Sequence, residues 1–74
     1  MTTTMTTNCC GDILRVKYDG TMWVSPTNGQ QHISAKRALR VEIEMYLLAC
    51  GEDLDECADE IDALLDDAEM ESAS

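Results

Sequence analysis

The sequence predicts an α+β domain in which an N-terminal β-hairpin or short antiparallel meander packs on a C-terminal helical hairpin. Three observations predict it. Residues 12–25 alternate about an Asp19-Gly20 pair, Ser34 and Gly51 bracket a mainly apolar stretch of helical length, and apolar residues from Leu54 to Ala68 recur at helical spacing. Seventy-four residues with no Phe, one Trp and two Tyr supply one small core, which excludes a multi-domain enzyme.

Residues 1–8, Met1-Thr-Thr-Thr-Met-Thr-Thr-Asn8, are mostly small and polar with no apolar period, and are expected to be a disordered leader. The folded domain is expected to span residues 9–71, with 72–74 a frayed tail. From Asp12 to Ser25, Leu14, Val16 and Tyr18 alternate with Ile13, Arg15 and Lys17, and Asp19-Gly20 suits the positive φ angles of a type I′ turn. Pairing Tyr18 with Thr21 then sets Val16 opposite Trp23 and Leu14 opposite Ser25, so Leu14, Val16, Tyr18 and Trp23 share the buried face. Pro26–Gly29 has turn composition, and Gln30–Ile33 supplies a short third strand.

Ser34 is a suitable N-cap for a helix reaching about Cys50, with Gly51 just beyond its end. Ala35, Leu39, Ile43, Tyr46 and Cys50 form one face of this helix and Ala38, Val41, Met45 and Leu48 a second. Lys36, Arg37, Arg40 and Glu44 are left in a narrow polar band, so the helix is expected to be packed on two sides. A second helix is expected from about Asp53 to Met70. Leu54, Cys57, Ala58, Ile61, Leu64, Leu65 and Ala68 make its apolar stripe.

The formal net charge is −10, and it is unevenly placed. Residues 1–40 hold all five basic side chains against Asp12 and Asp19, a net of +3, whereas residues 41–74 hold thirteen carboxylates and no Lys or Arg. Such a chain repels nucleic acid and anionic lipid, and its partner is expected to be basic. Eleven of the carboxylates lie between Glu52 and Glu71. On a continuous helix they would cover about 30 Å, or roughly one charge per 2.7 Å, between the values for one strand and both strands of B-DNA. Asp55, Glu56, Asp59, Glu60, Asp62, Asp66, Asp67 and Glu69 are the candidate contact set. A merely solvated helix mixes charge signs. This one has like pairs at i,i+4 and acids at its C-terminal end, where they oppose the helix dipole.

Other chemistry finds little support. Cys9, Cys10, Cys50, Cys57 and His32 lack the C-x-x-C spacing of a zinc site, and Asp53-x-Asp55 lacks the glycine of a calcium loop, so no metal or other cofactor is expected. The cysteines are read as reduced, His32 as solvent-exposed, and Tyr18 and Trp23 as packing residues rather than a base-stacking platform. No phosphate loop, nucleophile elbow or metalloprotease motif occurs, so a non-enzymatic role is expected. No stretch has the roughly 20 apolar residues of a membrane span, and the N-terminus has no secretory-signal pattern. The chain is therefore read as cytoplasmic, with no membrane partner.

In its size, its acidic amphipathic segment Glu52–Glu71 and its hairpin-plus-helices plan, the chain resembles the small acidic anti-CRISPR proteins of phages and mobile elements, several of which look like DNA to the effector they block. The resemblance implies a stoichiometric inhibitor acting in the host cytoplasm. Its partner would be the basic DNA-recognition surface of a CRISPR effector subunit or another DNA-binding protein, with no direct contact to nucleic acid. A monomer fits this role. A second reading of the residues is an antitoxin-like or regulatory assembly module that homodimerises or docks through Val41, Met45 and Leu48. Whether the basic band meets the partner or neutralises the acidic helix within the fold stays open at this level.

Overall fold

A computed structural model describes residues 2–27 and 29–73. Met1 of the expected leader, Asn28 of the expected Pro26–Gly29 turn and Ser74 of the expected tail lie outside the described residues.

Threonine is branched at Cβ and favours extended backbone. The threonine-rich start forms a strand, β1 (Thr2–Cys9), paired with β2 (Asp12–Tyr18) on one side and with β5 (Glu69–Ala73) on the other. This corrects the disordered leader expected over residues 1–8 and the boundaries drawn at 9, 71 and 72. Met5, Thr7 and Cys9 are buried at every second position, a period of two that threonine masks because its hydroxyl makes it look polar. The type I′ geometry also falls elsewhere than expected. Cys10 (φ 55°) and Gly11 (φ 89°) join β1 to β2, with Cys9 opposite Asp12.

The link from β2 to β3 (Trp23–Val24) is longer, because Tyr18 pairs with Trp23 and Lys17 with Val24. The Asp19 carboxylate accepts the amides of Met22 (2.7 Å) and Thr21 (2.9 Å), closing a four-residue loop that replaces the two-residue turn. The Tyr18–Thr21 register is thereby shifted by two residues. A shift of two preserves the face, so Tyr18 and Trp23 are still neighbours, with ring centroids 5.3 Å apart. Of the four residues expected to be buried, however, only Val16 is; Leu14 and Trp23 are half-buried, and Tyr18, at the end of its strand, is exposed. β4 (Gln31–His32) pairs with β3, as the third-strand reading expected, and the sheet is antiparallel throughout in the order β4-β3-β2-β1-β5.

Helix α1 (Ala35–Ala49) starts after Ser34 and ends at Cys50, followed by Gly51 at φ 82°. It buries Ala35, Ala38, Leu39, Glu42, Ile43 and Leu47. Of the expected second packed face only Ala38 is fully buried. Val41 and Met45 are half-buried and Leu48 is 57% exposed, because both helices lie on the same side of the sheet and leave the far side of α1 uncovered.

The second helix is shorter than its periodicity implied. α2 runs from Ala58 to Asp66, preceded by turns in which Asp53 accepts the amide of Asp55 (3.0 Å) and followed by β5. Carboxylates at a helix C-terminus oppose the dipole, and the backbone beyond Asp67 gains sheet hydrogen bonds to β1 instead. The architecture is α+β, with a sheet and two helices around a core of Met5, Val16, Leu39, Ile43, Leu47 and Ile61. Among the described residues, no helix is long and apolar enough to cross a membrane.

Candidate functional site: an acidic surface

The eight candidate contact residues fall on three consecutive elements. Asp55 and Glu56 lie in the turns before α2, Asp59, Glu60, Asp62 and Asp66 on α2, Asp67 at its C-cap and Glu69 on β5. All eight are exposed, as are Glu52, Asp53 and Glu71. At 100° per residue, Asp59, Asp62 and Asp66 sit within about 60° of one another, opposite the stripe of Ile61, Leu64 and Leu65. Ile61 is fully buried, so the helix is seated by that stripe and turns its acids outward.

The single 30 Å rod is therefore replaced by a shorter helix. Nine residues span about 13.5 Å, and four carboxylates over that length give about one per 3.4 Å, the charge spacing of one DNA strand. Glu69 points elsewhere. It pairs with Thr6, one residue out of phase with buried Met5, and so faces the side of the sheet away from the helices.

What sets this segment apart is how little its acids do inside the fold. The four carboxylates outside it all have partners. Asp12 accepts the Tyr46 hydroxyl (2.6 Å), Asp19 the two loop amides, and Glu44 pairs with Arg40 (3.8 Å). Glu42, 5% exposed, accepts the Ser25 hydroxyl, the Thr27 amide (2.9 Å) and the Thr27 hydroxyl (2.6 Å). Among the described residues, only Asp53 of the eleven acids from Glu52 to Glu71 makes a side-chain hydrogen bond, and none makes an ion pair. Among the described residues, none of the basic side chains of α1, Lys36, Arg37 and Arg40, makes an ion pair with the segment, and Arg40 is directed to Glu44 along its own helix.

The local field of these acids is felt beneath them. Burial pushes the Cys57 thiol above its ordinary pKa, and Glu52, Glu60, Glu56 and Asp53 push it further in the same direction. Cys9 is raised to about 11, chiefly by burial and then by the neighbouring Cys10 thiol. All four cysteines are free thiols, and these two are kept protonated and unreactive.

Two other residues differ from expectation. His32 is half-buried rather than solvent-exposed, and its Nε2 is buried without a hydrogen-bond partner. Glu42 escaped notice as a functional candidate, although a lone carboxylate between Leu39, Ile43 and Tyr46 on the apolar face of α1 was its signal. It anchors the segment after β3 to the helix. No group of three or more His, Cys, Asp or Glu among the described residues is arranged to hold a metal ion.

Comparison with protein-family models, curated proteins and solved structures gives no match to this chain.

Proposed function

We propose that this protein is a stoichiometric, non-catalytic inhibitor that mimics DNA, presenting the carboxylates of α2 and its flanking turns to the basic DNA-binding surface of a CRISPR surveillance complex or a similar nucleic-acid-binding protein. The observation that carries the reading is the contrast in partnering. Every acid outside Glu52–Glu71 is used within the fold, whereas ten of the eleven inside it are exposed with no side-chain partner among the described residues. Unpaired like charges on one helix cost stability, and an external cationic surface would recover that cost by charge-assisted hydrogen bonding and counterion release.

The contact set is Asp55, Glu56, Asp59, Glu60, Asp62, Asp66 and Asp67, held by a helix whose position is fixed by Ile61. Glu69 lies apart from it on the sheet. The reading is tested by immobilising the full chain, exposing it to a host-cell lysate at low salt and eluting with duplex DNA. Proteins released by DNA, and prevented from binding DNA by an equimolar amount of the chain, support it. Retention of all bound proteins under saturating duplex would count against it.

A further inference from the structure

The side of the sheet away from the helices is uncovered, and its charges are ordered. On β2, Arg15 and Lys17 point to this side, because Val16 between them is fully buried. On β5, Glu69 and Glu71 point the same way, being the register partners of Thr6 and Thr4. The two registers combine into rows across three strands: Glu69, Thr6 and Arg15 form one, and Glu71, Thr4 and Lys17 the next. Within a row, acid and base stand two strands apart, about 9.6 Å, with a short threonine between them. All four charged residues are exposed, and none makes an ion pair among the described residues.

We propose that this face binds a second copy of the chain about a two-fold axis parallel to β1. A rotation about that axis exchanges the two sides of β1 and leaves position along the strand unchanged. It therefore lays Arg15 over Glu69 of the other copy and Lys17 over Glu71, each pair made twice, with Thr4 and Thr6 meeting their own counterparts at the centre. The interface is isologous. The same rotation brings Ile13, 60% exposed, over the hollow of about 300 Å³ that the other copy's own Ile13 borders together with Thr6, Thr7, Asn8, Asp67 and Glu69.

Charge disfavours the other pairings of this sheet. A two-fold axis across the strands would stack base on base and acid on acid. Edge-to-edge pairing through β5 would set Glu69 and Glu71 against themselves, and the other edge, β4, is two residues long. With few apolar side chains and a net charge of −10 on each copy, the dimer is small, polar and dependent on ionic strength.

The experiment is sedimentation equilibrium on the full chain, with circular dichroism to verify that each variant is folded. The wild-type chain is expected to dimerise reversibly at low salt and to dissociate as salt is raised. One variant carries Arg15→Glu and Lys17→Glu, a second Glu69→Arg and Glu71→Lys, so that the face is wholly acidic in the first and wholly basic in the second. Each alone should self-associate at least tenfold more weakly than wild type. Their equimolar mixture should restore the dimer, although both proteins remain net negative and bulk attraction cannot drive them together. A wild-type chain that stays monomeric at low salt overturns the proposal, as does a mixture that fails to associate or a dimer dissociated by Leu48→Ser but unaffected by the charge variants. These outcomes are independent of whether the acidic helix binds a DNA-binding protein.

Discussion

The hydroxyl of Thr7 donates to the carbonyl oxygen of Leu64 at 2.8 Å, tying the first strand to the last turn of the acidic helix. The amide of Ala68, which a continuing helix would direct to Leu64, bonds Leu65 at 3.3 Å instead, so the Leu64 carbonyl is a helix-end acceptor that Thr7 satisfies. Replacing Thr7 with Val keeps the shape and removes the donor. Thr7→Val is expected to cost about 1–2 kcal/mol, measured by urea denaturation, with the loss of amide protection concentrated in residues 58–66.

That contact also marks where the sequence was hardest to interpret. Ser34, Gly51 and the alternation of Leu14, Val16 and Tyr18 announced their elements, because caps and periodicity are local properties. β1 and β5 were not legible. Threonine at positions 2–4, 6 and 7 hides a strand whose partner lies more than sixty residues away, and Leu64, Leu65 and Ala68 continue a helical stripe up to the point where pairing with β1 takes over. The acidic surface was legible as composition, since exposure of charged side chains needs no knowledge of the fold. The diversion of Glu69 to the other side of the sheet followed only from register.

Glu42 holds Ser25 and Thr27, and with its carboxylate removed the buried Ser25 hydroxyl loses its acceptor. Glu42→Ala is expected to destabilise the fold by about 3 kcal/mol and Glu42→Gln by about half as much, because the amide keeps one acceptor oxygen. Equilibrium unfolding in urea distinguishes the two.

The Tyr46 hydroxyl donates to Asp12, and that hydrogen bond is the main reason its pKa is raised above the ordinary 10.0, with burial second. A raised pKa in the folded state means that the bond contributes stability at all pH values below 10.0, which is lost as pH rises through the folded value. In a Tyr18→Phe background Tyr46 is the remaining tyrosine, and alkaline titration of phenolate absorbance should show it ionising above 10.0. Adding Asp12→Ala should bring the midpoint back toward that value.

Asp62 and Asp66 lie one turn apart on α2, and Asp66 stands at the helix C-terminus. Asp66→Lys replaces a like pair with an opposite one and sets a cation at the negative end of the dipole, so it should stabilise the fold by about 0.5 kcal/mol. Wild-type Tm should rise with added salt as the repulsion is screened, and the Asp66→Lys variant should respond less. Thermal melts at several ionic strengths compare the two.

The most direct test of the acidic surface as a substitute for DNA is displacement. A protein captured by the chain is loaded with labelled duplex DNA and titrated with either the wild-type chain or a variant carrying Asp59→Lys, Asp62→Lys and Asp66→Lys. The wild-type chain should release the DNA at a stoichiometric ratio, more weakly as salt is raised, and the folded variant should release none. Equal displacement by the variant would contradict the account.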